Sequence, residues 1–218
     1  MACRRRGLAA GELVRVASKR GALVLPLELS DEVASGTVFA AMHWSGQHLS
    51  SGGVNEVSLP AVDARSRQPE LKHAAVRVEK AAFGWHLLAA RRGDALALHA
   101  ALQPLLRDCG YAGLALHPCA ESTGDDQAWM VLRAAAAEPM PAAWMQRLED
   151  ALDLGTGPDT LEYRDARRGL LRRVAWREDD GGSRIEGVLW ADARPGGDAL
   201  LQAALADRPW TGPRLAAF

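Results

Sequence analysis

The chain has 218 residues, of which 48% are hydrophobic and 24% charged, with a formal net charge of −1. That composition supports a packed core and argues against extensive disorder. The near-neutral balance excludes a global field that would drive the protein onto nucleic acid or an anionic membrane, so no nucleic-acid or membrane partner is expected.

The three cysteines, Cys3, Cys109 and Cys119, are too few and too scattered for a disulfide framework. No C-x-x-C pair exists, which argues against an iron–sulfur cluster or zinc ribbon held by this chain alone. No apolar run approaches the roughly 20 residues of a membrane helix. The start, Met1-Ala2-Cys3-Arg4-Arg5-Arg6, is charged like the head of a signal peptide, but Gly11, Glu12 and Arg15 interrupt any apolar continuation. A cytoplasmic location is the resulting expectation.

In chain order, Glu12 to Ser18 alternates apolar and polar residues, the pattern of a half-buried strand. Lys19-Arg20-Gly21 predicts a turn with Gly21 free to take positive φ, and Ala22 to Leu29 a second strand. Thr37 to Met42 predicts a third strand. His43 to Gln68 follows, rich in Ser, Gly, Pro and Asp, with few regular signals. So long an irregular stretch within a domain is usually functional or disordered. Ala74 to Glu79 predicts a closing strand.

Beyond residue 81 the texture changes. Strands are predicted at Phe83–Ala90, Gly113–His117, Ala128–Arg133, Leu161–Tyr163, Leu170–Trp176 and Ile185–Trp190. Helices are predicted at Ala95–Cys109, Pro141–Leu154 and Ala199–Ala206. The expected organisation is a β-rich unit over residues 1–80 and an α+β accessory module over residues 81–218.

A family becomes visible in the first unit. Gly7-Leu8-Ala9-Ala10-Gly11-Glu12-Leu13-Val14-Arg15-Val16, the turn Ser18-Lys19-Arg20-Gly21, and Gly36-Thr37-Val38-Phe39 with Met42-His43-Trp44 occur in order. Val54-Asn55-Glu56-Val57, Pro60-Ala61-Val62-Asp63 and Gln68-Pro69-Glu70-Leu71-Lys72 complete the series. Together these six fragments resemble the C-terminal molybdopterin dinucleotide-binding domain of molybdopterin oxidoreductases. The His-Trp pair and the Pro-Glu-x-Lys ending are most similar to the bacterial assimilatory nitrate reductase branch.

The resemblance implies a partial double-psi β-barrel that closes over a molybdenum bis-molybdopterin guanine dinucleotide. It implies that Asn55 and Lys72, 17 positions apart (72 − 55), touch the cofactor, with His43 or Trp44 near the substrate funnel. The cofactor-binding set expected here is therefore Asn55, Lys72 and His43, with no catalytic residue and no metal ligand in this chain. The molybdenum ligand, the iron–sulfur cluster and an earlier strand of the domain would belong to an upstream part of the same catalytic subunit. That part, an electron donor and nitrate are the implied partners. On this reading the chain is a fragment and inactive in isolation.

The residue chemistry stands beside the resemblance. An Asn amide donates and accepts at once, which suits a pterin or guanine edge. Lysine is rare, at Lys19, Lys72 and Lys80 only, and offers a compact charge to a phosphate where a guanidinium fits poorly. Gly52-Gly53 lets backbone approach a ligand closely. The plainer readings remain: a lone Asn in such a loop is ordinarily a turn residue, a lone Lys is surface, and His43 and Trp44 can simply pack.

In the second unit, Tyr163-Arg164-Asp165, Gly169 to Arg173 and Ile185 to Leu189 resemble a small module that follows the pterin domain in assimilatory nitrate reductases, and imply a docking or spacer role. Cys109, His117 and Cys119 lack a fourth metal ligand and read as buried thiols and a surface histidine. Two alternatives stay open: a non-catalytic scaffold or assembly module, and a formate dehydrogenase-like relative.

Overall fold

The computed structural model describes residues 7–68, 73–119, 127–179 and 182–218. The chain divides into two compact units, Met1–Ala82 and Phe83–Phe218.

The first unit is built on a three-stranded antiparallel sheet in the order β2-β1-β3. Its strands are β1 (Leu13–Ala17), β2 (Ala22–Pro26) and β3 (Arg77–Lys80). Pro26 ends β2, an edge strand, where its missing N–H costs no ladder bond. The hairpin and the closing strand arise where the alternation places them. Thr37–Met42 does not form the expected strand. Val38, Phe39 and Met42 are 52%, 82% and 47% exposed, and β-propensity alone cannot make a strand without a ladder partner. Gly21 also departs from expectation: its φ is not positive. A Cβ there would lie 2.8 Å from the Glu56 carbonyl oxygen, so the glycine serves a close backbone approach.

The second unit is a six-stranded, wholly antiparallel sheet in the order β5-β6-β4-β9-β8-β7. The strands are β4 (Trp85–Asp94), β5 (Tyr111–Pro118), β6 (Gln127–Ala136), β7 (Thr160–Asp165), β8 (Leu170–Asp179) and β9 (Gly182–Asp192). Among the described residues three α-helices accompany them: α1 (Ala95–Leu102), α2 (Ala142–Ala151) and α3 (Asp198–Leu205). Asp94 caps α1 by accepting the Ala97 N–H at 2.7 Å. The helix predicted to Cys109 stops at Leu102, because Pro104 supplies no N–H, and continues as the 3-10 turn Gln103–Asp108.

Both faces of this sheet are buried. Trp85, Leu87 and Ala89 of β4 face one cluster, which includes Leu98 and Leu102 of α1 and Trp144 and Leu148 of α2. Leu88 and Ala90 face the opposite cluster, with Leu200, Leu201 and Ala204 of α3. The period-two side-chain alternation thus feeds two cores at once, which is why these strands read as nearly continuous apolar runs. A bulge at Ala175/Trp176 pairs Trp176 with Ile185 and skips Glu186, so Ile185 and Val188 point into the same cluster. Among the described residues no helix is long and apolar enough to cross a membrane.

Candidate functional site

Three motifs of the first unit, at Ser18–Gly21, Met42–Trp44 and Val54–Val57, come together in the irregular segment that follows its hairpin. Ser18 starts the β1–β2 turn: its N–H bonds the Gly21 carbonyl at 2.9 Å and its hydroxyl accepts the Arg20 N–H at 3.0 Å. The bare Gly21 then admits the Glu56 carbonyl. Glu56 ends a 3-10 turn, Val54–Glu56, that has Asn55 at its centre. The Glu56 carboxylate accepts the Gly52 N–H, and the Ser58 hydroxyl donates to the Val54 carbonyl at 2.9 Å. Val57, 5% exposed, and Leu49, 7% exposed, bury the apolar side of this segment.

A second close approach fixes the other end. Gly53 has φ 82° and ψ −162°, a conformation essentially confined to glycine. A Cβ on Gly53 would lie 2.0 Å from the Trp44 carbonyl oxygen. The backbone at Trp44 is therefore brought against Gly53, two residues ahead of Asn55. The Trp44 ring is 45% exposed and meets His48 edge-on, with centroids 5.7 Å apart.

Asn55 and His43 are both exposed, and neither side chain forms a hydrogen bond among the described residues. Their polar groups are open to a ligand, and they do not bond one another. Lys72, the third residue of the expected set, lies outside the described residues. Among the described residues no three His, Cys, Asp or Glu side chains gather as a metal cluster. Cys109 is buried, which with Asp108 nearby pushes its thiol up to about 12.

Two motif carboxylates prove to be structural. Glu12 pairs with Lys80 and accepts the Ala9 N–H at 2.9 Å, and those bonds hold its pKa low. It ties the opening turn to β3. Asp63 accepts N–H bonds from Ser66 at 2.7 Å and Arg65 at 3.0 Å, which lower its pKa in turn. It caps the turn that follows the Pro60 landmark.

The second unit holds a group that residue spacing does not reveal. Arg173 is 2% exposed. It donates to Glu162 at 2.7 Å, to Glu149 at 2.9 Å and to the Leu154 carbonyl. Arg164 bonds the same two carboxylates, each at 3.0 Å. Two arginines and two glutamates thus join β7, β8 and α2. Burial raises the Glu162 pKa, but the hydrogen bonds from Arg164 and Arg173 outweigh it and the net shift is downward. The only sequence sign was three strand positions, Glu162, Arg164 and Arg173, whose alternation would have to turn a charge inward.

Residues 2–75 match the family model described as Molydopterin dinucleotide binding domain. The first unit is therefore a molybdopterin dinucleotide-binding domain of the kind that forms the C-terminal domain of molybdopterin oxidoreductases. A nitrate reductase of Klebsiella oxytoca is 38% identical over 68 residues, which is 31% of this chain and 8% of that relative. The chain thus spans a small part of the relative's length. No solved structure matches.

Proposed function

We propose that the chain supplies the C-terminal cofactor-closing region of a molybdenum bis-molybdopterin guanine dinucleotide oxidoreductase that reduces nitrate to nitrite in nitrate assimilation. The observation that carries this reading is the family match over residues 2–75 together with the crossing of Trp44 and Gly53 that presents Asn55 on an exposed turn.

The residues present fit such a group. Gly52 and Gly53 lack side chains where the Glu56 carboxylate and the Trp44 carbonyl press against them, which fixes the turn, and the Asn55 amide on that turn is unengaged among the described residues. Asn55 would donate and accept at a pterin or guanine edge. Lys72 would place a compact positive charge against phosphate or carbonyl oxygens. His43, next to Trp44, would face the cofactor from the funnel side. When bound, the cofactor supplies metal-centred two-electron exchange with nitrate. The chain's own part is to orient the dinucleotide and to exclude water along one side of it. Further strands from upstream in the same subunit would complete the double-psi barrel and cover Phe39. The upstream part would also carry the metal ligand and the iron–sulfur centre. An electron donor would dock on the assembled enzyme, in the cytoplasm.

The test is made in the longer protein. Lys72→Ala should lower molybdopterin content, nitrate reductase activity, or both. Unchanged loading with unchanged activity removes Lys72 from the site. A protein that loads no molybdopterin in its natural form removes the whole reading.

A further inference from the structure

Glu56 follows Asn55 on the exposed turn, and its polar groups meet three glycines. The Glu56 N–H donates to the Gly53 carbonyl at 3.1 Å. Its carbonyl oxygen lies 2.8 Å from where a Cβ on Gly21 would stand. Its carboxylate accepts the Gly52 N–H, and a Cβ on Gly52 would lie 2.7 Å from Glu56 Oε1 and 3.3 Å from its Cγ. The contacts at Gly21 and Gly52 therefore occupy space that a side chain would fill.

The carboxylate bond closes residues 52–56 on themselves, with Asn55 inside the closed segment. Behind Asn55, the Ser58 N–H donates to the Asn55 carbonyl at 3.3 Å and the Ser58 hydroxyl to the Val54 carbonyl at 2.9 Å. Ser58 holds the turn from behind and the Glu56 carboxylate holds it from the front. Glu56 is exposed, so burial does not fix its side chain there. A charge-assisted bond to a backbone N–H does. Released, the same negative charge would be free to repel a phosphate-bearing ligand of the neighbouring Asn55.

We propose that Glu56 is a positioning residue: given that Asn55 meets the dinucleotide cofactor as proposed above, the Glu56 carboxylate sets the turn that presents the Asn55 amide, without itself touching the cofactor. The gain is preorganisation, since the turn is already in its binding shape before the ligand arrives.

Two measurements test this. In the 218-residue chain, Glu56→Ala should speed hydrogen exchange of the Gly52 amide on the order of tenfold. Glu56→Gln, whose side-chain oxygen still accepts, should restore the natural rate. In the longer protein, Glu56→Ala should lower molybdopterin content and Glu56→Gln should restore it. Asn55→Ala/Glu56→Ala should lose no more than Asn55→Ala alone, because one residue acts through the other. Additive losses, a Gly52 amide indifferent to Glu56→Ala, or a Glu56→Gln protein that loads as poorly as Glu56→Ala overturns the proposal. Loading unchanged by Asn55→Ala removes Asn55 from the site and this role of Glu56 with it. Loading lowered by Asn55→Ala but not by Glu56→Ala removes Glu56 alone. Should Glu56→Ala fail to fold, Glu56→Met, of similar bulk but without the carboxylate, takes its place in every comparison.

Discussion

The carbonyl oxygen of Trp44 lies 2.0 Å from where a Cβ on Gly53 would stand, so these two positions can cross only while residue 53 has no side chain. The φ of 82° and ψ of −162° at Gly53 add an independent penalty for any other residue. Gly53→Ala should destabilise the first unit by about 3 kcal/mol, the upper range for one strained backbone position. Urea-dependent hydrogen exchange of the β1, β2 and β3 amides checks this, and wild-type protection would refute the crossing.

Asn55 depends on that crossing for its position but contributes no side-chain bond to the described fold. Asn55→Ala should therefore leave the stability of the isolated chain within about 0.5 kcal/mol of the natural value. In the longer protein the same change should reduce molybdopterin loading. A large loss of stability in the isolated chain would mark Asn55 as a turn residue, the plainer reading of its sequence context.

The Arg173 network carries a different expectation. Removing one partner of a buried, hydrogen-bonded charge set leaves the others uncompensated, so Arg173→Ala should cost about 3–5 kcal/mol of the second unit's stability. A denaturation midpoint near that of the natural chain would show that the glutamates find other partners.

The same network predicts a pH dependence. Glu162 has a folded pKa below its ordinary 4.5, so its ionised form is favoured by folding. Its contribution is complete above about pH 4.5 and is lost as the pH falls through the lowered folded value. Glu162→Gln should therefore flatten the decline of stability on acidification below that point. Urea midpoints measured at neutral pH and at successively lower pH test the slope, and an equal decline in both proteins would exclude Glu162 as a source.

Thiol chemistry should separate the two described cysteines. Cys109 is buried with its thiol pushed up to about 12, whereas Cys119 is partly exposed. Alkylation of the native chain at pH 8, mapped by mass spectrometry, should label Cys119 and spare Cys109 until the protein is unfolded. Rapid native labelling of Cys109 would mean that α1 and its 3-10 extension open readily.

The strands of the second unit and the hairpin of the first could be read from residue order, because a local alternation decides which side chains face inward. The family motifs over residues 2–75 are legible because glycines and polar residues at fixed separations mark places where backbone bends or approaches, although the role of Gly21, a close approach to Glu56 and not a positive φ, is not. Thr37–Met42 was misread as a strand because its β-branched and aromatic content is local while a ladder partner is not. The apolar spacing that predicts a helix to Cys109 continues through Gln103–Asp108, but Pro104 lacks the N–H an α-helix needs there and the segment tightens to a 3-10 turn.

The amino-acid order alone thus settled most strands and the pterin-domain motifs, since each rests on contacts or preferences within a few residues. Folding in three dimensions decided the rest. It buried Arg173 between carboxylates from distant elements and used Gly21 and Gly53 to admit carbonyl groups 35 and 9 positions away (56 − 21 and 53 − 44). Those outcomes depend on which segments meet across the chain, and no local pattern encodes a partner that lies far off in sequence.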